Sequence, residues 1–139
     1  MGFIEHYYSP AALGTNNVTL PTAVNVLNSN PIAVEDCDIV TVYVYFDHVA
    51  ATDCTFNVET WEPTRGLWFV HQTVAIAAGV ATYSDYAATK ASGAADKYYM
   101  VKLEVPGEKQ IRLADIRDSA AAATTDKVII SAVARQLIE

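Results

Sequence analysis

The stretch Asp38-Ile-Val-Thr-Val-Tyr-Val-Tyr-Phe-Asp47 alternates with period two. Val40, Val42, Val44 and Phe46 fall on one face, and Ile39, Thr41, Tyr43 and Tyr45 on the other. β-Branched and aromatic residues at this period make a strand. A sheet with one side open to water carries charge on that side, whereas both faces here are apolar or aromatic. The outer face is therefore expected to be partly covered, which points to an assembly protein.

The pattern recurs along the chain. Strands are expected at 18–27, 38–47, 54–62, 67–73, 80–86, 97–105, 109–116 and 127–135, separated by segments that hold Gly, Pro, Asn or Asp. Pro63-Thr-Arg-Gly66, set between Trp61 and Trp68, is the clearest hairpin signal, and Pro106-Gly107 is a second tight turn. Pro21 makes the first strand an edge or breaks it. The alanine run at 120–123 follows a cap at Ser119 but meets Thr124-Thr125-Asp126, which leaves room for one helical turn at most. Residues 1–17 have no sustained period and are expected as an extended N-terminal arm, with 18–139 as the sandwich domain. Phe3, His6, Tyr7 and Tyr8 on that arm are residues that pack, either on the chain's own sandwich or on a neighbour.

Short antiparallel strands with almost no helical periodicity give an all-β fold, a two-sheet jelly-roll-like sandwich of about eight strands. The spaced cysteines around a buried Trp that mark immunoglobulin domains are missing. The expected core faces are Val40/Val42/Val44/Phe46, Phe56/Val58, Tyr99/Val101/Leu103/Val105, Ile111/Leu113 and Val128/Ile130/Ala132.

Composition sharpens the assembly reading. The 139 residues fit one domain, 52% hydrophobic and only 18% charged, which is little charge for the surface of a free monomer. A net charge of −7 disfavours direct nucleic-acid binding. The opening Met1-Gly-Phe-Ile-Glu-His lacks the basic and apolar regions of an export signal, His6 stands where a myristoylation signal needs Ser or Thr, and no run is long enough to span a membrane. The expected product is made in the host cytoplasm, with no membrane partner. Cys37 and Cys54 begin two successive strands; in an antiparallel hairpin these positions lie roughly 25–30 Å apart, beyond the about 7 Å limit of a disulfide. Both are read as free, buried thiols.

Candidate chemistry is sparse. Glu35-Asp36-Cys37-Asp38 could offer oxygens to a cation but lacks the spacing of a calcium loop, and a solvated loop explains it better. Glu59, Glu62 and Glu104 are the carboxylates a glycosidase would need. Only Glu59, beside Asn57 and Trp61, sits in a sugar-cleft-like setting, and Glu104 alternates with Lys102 as a solvated face does. His6, His48 and His71 have no metal-site spacing, and no Ser sits in a nucleophile motif. No catalytic residue, metal or cofactor is expected. Trp61, Trp68, Tyr43, Tyr45, Tyr98 and Tyr99 fit cross-strand pairing, a protein interface or a sugar platform. The last of these would make the chain a carbohydrate-binding module, against which the missing export signal counts.

The arm Met1-Gly-Phe-Ile-Glu, the strand Asp38-Ile-Val-Thr-Val-Tyr-Val-Tyr-Phe, Phe56-Asn-Val-Glu-Thr-Trp, Lys97-Tyr-Tyr-Met-Val-Lys-Leu-Glu-Val and the closing Lys127-Val-Ile-Ile-Ser-Ala-Val together resemble the small jelly-roll cement (decoration) proteins of tailed-bacteriophage heads, especially of short-tailed phages. The resemblance lies in length, strand grammar and aromatic arm, and no diagnostic motif carries it. It implies a non-enzymatic virion protein on the capsid outer surface. Such a protein would bridge neighbouring major capsid proteins against internal DNA pressure and associate with itself, most simply as a homodimer. The residues expected at protein interfaces are Phe3, His6, Tyr7, Tyr8, Tyr43 and Tyr45.

Overall fold

A computed structural model describes residues 2–14, 18–19, 27–47, 53–86, 89–92, 97–118 and 126–138, with the side chains of 18, 53, 54, 89–92 and 97 excepted. The elements in chain order are β1 (Gly2–Tyr8), α1 (Pro10–Leu13), β2 (Val18–Thr19), β3 (Ile32–Ala33), β4 (Ile39–Asp47), β5 (Asp53–Glu62), β6 (Leu67–Val70), β7 (Gln72–Ala77), β8 (Val80–Asp85), β9 (Thr89–Ser92), β10 (Lys97–Glu104), β11 (Gln110–Asp118) and β12 (Lys127–Ile138). The first sheet runs β1-β12-β4-β10, with β2 also on β12; the second runs β3-β11-β5-β6, with β9 also on β5; β7 and β8 form a separate hairpin. Every pairing is antiparallel. The expected two-sheet antiparallel sandwich is therefore the fold observed.

The core lies between the sheets. Val40, Val42, Val44 and Phe46 from β4, Val128, Ile130, Ala132 and Ala134 from β12, and Val101 and Leu103 from β10 face Phe56 and Val58 of β5 and Ile111 and Leu113 of β11. Phe46, Phe56 and Tyr99 join the layers, with ring centroids 6.2–6.3 Å apart. Leu13 caps one edge. It is delivered by α1, whose Ser9 cap accepts the Ala12 N–H at 3.4 Å and whose chain turns away at Gly14. Gly14 has φ +70°, and a Cβ there would meet the Asn30 side chain at 2.7 Å, so the position favours glycine.

Several expectations need correction. The sheet begins at Gly2, not at Val18: β1 pairs with β12 from Gly2↔Ile138 to Tyr8↔Ala132. The period was hard to see because both parities of β1 mix apolar and polar residues. Instead of neighbouring in a hairpin, β4 and β5 lie in opposite sheets. The run 67–73 divides at His71 into β6 and β7, and the segment between the expected strands 80–86 and 97–105 contains β9. Among the described residues there are twelve strands, three of them (β1, β3 and β9) unforeseen. Pro21 and the alanine run at 120–123 lie outside the described residues. Among the described residues no helix is long and apolar enough to cross a membrane.

Buried Ser29 extends the β3 edge of the second sheet. Its Oγ accepts the Leu113 N–H at 2.9 Å and its own N–H donates to the Leu113 carbonyl at 2.9 Å. Ser29→Ala leaves a buried donor without that acceptor and is expected to cost about 1–3 kcal/mol, measured by urea unfolding.

Candidate functional site

In the first sheet, residues paired across the ladder share a face, so the register assembles the outer surface row by row. Tyr98, Tyr45 and Ile129 make one row, and Met100, Tyr43 and Ser131 the next. Then follow Lys102, Thr41, Val133 and Tyr7; Glu104, Ile39, Arg135 and Glu5; and finally Leu137 with Phe3. Apolar and aromatic side chains dominate and many are open: Phe3 is 63% exposed, Tyr7 74%, Tyr98 76% and Met100 58%. Few sheet faces of a free monomer leave so much apolar surface contiguous.

Charge enters this face mainly along one band. The Arg135 Nε donates to Glu5 Oε1 at 2.8 Å, and the Tyr7 hydroxyl donates to the other oxygen of Glu5. The Tyr7 hydrogen bond, then that of Arg135, holds Glu5 below the usual carboxylate range, and Glu5 in turn raises the Tyr7 phenol. Since the folded-state value of Glu5 is the lower one, its small contribution is complete above the ordinary carboxylate range and is lost as pH falls.

Of the six expected interface residues, Phe3, Tyr7, Tyr43 and Tyr45 come together on this face. His6 and Tyr8 do not, because they stand opposite Ala134 and Ala132 on the core side of β1. His6 is exposed there, and Tyr8 is half-buried against the core with its hydroxyl donating to the Ala33 carbonyl. Tyr98, one of the central-strand aromatics already singled out, and Met100, which was not, also lie on this face. Their signal was the parity of β10 opposite to the core residues Val101 and Leu103.

Several aromatics, on this face and off it, also pair within the chain. Tyr45 stacks on Tyr98 at 4.9 Å, Trp61 lies 5.2 Å from Trp68 across the β5–β6 ladder, and the Arg112 guanidinium sits 4.4 Å over Trp68. Arg112 also holds Glu59, with Nη2 2.7 Å and Nε 2.8 Å from Oε1. Glu62 accepts the N–H groups of Arg65 and Thr64, which hold it below the usual range and close the Pro63–Gly66 turn. Glu35 pairs with Lys109 at 2.9 Å, and Asp38 Oδ2 accepts the Leu137 N–H at 2.7 Å. Among the described residues no cluster of three His, Cys, Asp or Glu is placed to hold a metal.

Cys37 is a free thiol, 4% exposed, and the side chain of Cys54 lies outside the described residues. Burial first, then the charges of Asp38 and Asp36, push the Cys37 thiol up. The stability linked to the neutral thiol is present below the ordinary thiol value and is lost as pH rises through the raised one. Cys37 is expected to resist iodoacetamide in the native protein at pH 8 and to react on unfolding, as read by peptide mass mapping.

No protein-family model matches the sequence, and no curated protein does either. The fold is similar to the crystal structure of the SPBc2 prophage-derived protein YomS, with a TM-score of 0.55 over 97% of this chain and 96% of that one. Sequence identity across the match is 8%, so the likeness is one of fold.

Proposed function

We propose that this chain is a non-enzymatic structural protein of a bacteriophage virion, which binds the outside of the head and cements neighbouring major capsid proteins. The observation that carries the reading is the outer face of the first sheet, where Phe3, Tyr7, Tyr43, Tyr98 and Met100 lie open together. Aromatic residues and Met on a flat face are the composition of a protein interface, in which a few such anchors supply most of the binding energy. The shared fold with a prophage-derived protein and the resemblance to cement proteins support the phage setting. The same face is suited to a two-fold homodimer, which would show in sedimentation as a mass above 15.1 kDa.

The test uses heads of the phage that carries the gene, prepared without this protein. Wild-type protein is expected to co-sediment with them. Tyr43→Glu combined with Met100→Glu places two charges on exposed positions and is expected to weaken attachment by about thirtyfold or more, with little change in melting temperature. Equal attachment of both proteins would remove this face as the seat, and failure of the wild type to bind would remove the cement role.

A further inference from the structure

A second surface borders the aromatic face, meeting it at Glu104. The β7–β8 hairpin and the body of the sandwich enclose an open groove of about 790 Å³. Val70, Val74 and Tyr83 give it an apolar floor, and Asp85 and Glu104 give it an acidic wall. Among the described residues no Lys or Arg lines it. Its one histidine, His71, is buried with Nδ1 2.9 Å from Glu108 Oε1. Asp85 accepts from Gln72 Nε2 at 3.3 Å, and neither Asp85 nor Glu104 forms an ion pair among the described residues.

The groove also holds an open strand edge. β6 is the last strand of its sheet, and among the described residues only β5 pairs with it. The His71 N–H donates to the Val58 carbonyl at 2.9 Å, which fixes the phase of the ladder. Residues 69 and 67 then exchange bonds with β5 as His71 does, while Trp68 and Val70 direct their N–H and C=O groups outward. An outward backbone edge, an apolar floor and an unpaired carboxylate wall are three demands that one kind of ligand meets.

We infer that the groove takes an extended segment of a partner protein in which apolar residues alternate with Lys or Arg, added as a further strand on β6. Backbone hydrogen bonds supply the register, alternate apolar side chains reach Val74 and Tyr83, and the basic ones reach Asp85 and Glu104. A second copy of this chain is a poor occupant. Its own strand that alternates basic with apolar residues, β11, is central in its sheet, paired with β3 on one side and β5 on the other. The inference does not depend on the capsid reading.

The probe is the fluorescein-labelled peptide Thr-Lys-Val-Lys-Val-Lys-Thr, with a counterpart carrying Glu for each Lys, titrated into the full chain by fluorescence anisotropy. The basic peptide is expected to bind and the acidic one not. Asp85→Asn with Glu104→Gln is expected to weaken binding about tenfold or more, and Val70→Pro likewise, because it removes an outward N–H that the fold does not use. Glu35→Gln with Asp36→Asn removes the same charge elsewhere and should leave binding within about twofold. If Val70→Pro unfolds, the charge variants decide alone. The inference is overturned if the basic peptide fails to bind at millimolar concentration, or if the distant charge pair matters as much as the groove pair. It is also overturned if sedimentation shows a dimer that the groove variants dissolve, which would make a second copy the occupant.

Discussion

Replacing Phe56 by alanine is expected to cost about 3–5 kcal/mol, the range for a fully buried Phe that leaves a cavity. Phe56 is completely buried on β5, with the Phe46 ring centroid 6.2 Å away and that of Tyr99 6.3 Å away. Its two aromatic neighbours come from β4 and β10 of the opposite sheet, so the ring is a contact between layers as well as buried area. A loss of this size is a large share of the about 5–15 kcal/mol that holds a typical domain. It should lower the melting temperature by more than about 10 °C. Phe56→Leu keeps most of the volume and should cost well under half as much. A Phe56→Ala loss below about 1 kcal/mol in urea unfolding would mean that the two sheets do not pack through this ring.

Deleting Gly2–Tyr8 is expected to destabilise the isolated domain by about 2–4 kcal/mol, because β1 is an edge strand of the sandwich rather than a free arm. The deletion removes the ladder to β12, the half-buried Tyr8 ring with its hydrogen bond to the Ala33 carbonyl, and the Glu5–Arg135 ion pair. It also uncovers the edge of β12, whose residues alternate between buried and partly exposed, so the truncated chain should self-associate more readily. Thermal melting and sedimentation together read both effects. An unchanged melting temperature would return residues 2–8 to the role of a free arm reaching for a neighbour.

The sequence made the core faces of β4, β10, β11 and β12 readable, because Val, Ile, Leu and Phe alternate there with polar or aromatic residues and each run ends at Gly, Pro, Asn or Asp. Partners were not readable. A period-two pattern says which side of a strand is buried and nothing about which strand lies beside it, so β4 and β5 looked like hairpin neighbours although the chain crosses between sheets. The division of 67–73 at His71 was hidden because no turn residue marks it, and β9, built from Thr89-Lys-Ala-Ser92, has too little apolar contrast to register.

The candidate face was legible in part for the same reason. Tyr43 and Tyr45 announced themselves as aromatics on the outer parity of an obvious strand, whereas Tyr98 and Met100 required knowing that β10 pairs with β4 in register. Phe3 and Tyr7 were noticed as aromatics that need packing, but their place beside Val133 and Leu137 followed from the long-range β1–β12 ladder, whose partners stand over a hundred residues apart in sequence. The groove at β6 had no sequence signal. Its carboxylates, Asp85 and Glu104, come from different strands, and the open edge is a property of the sheet order.

The most direct test of the central claim is a cryo-electron microscopy reconstruction of phage heads saturated with this protein. The account predicts density for the sandwich on the outer surface, with the face of Tyr43, Tyr98 and Met100 against capsid protein or a second copy, and with Phe56 and the other core residues inside the sandwich. Decoration with that face turned to solvent, or heads that take up none of the protein, would contradict it.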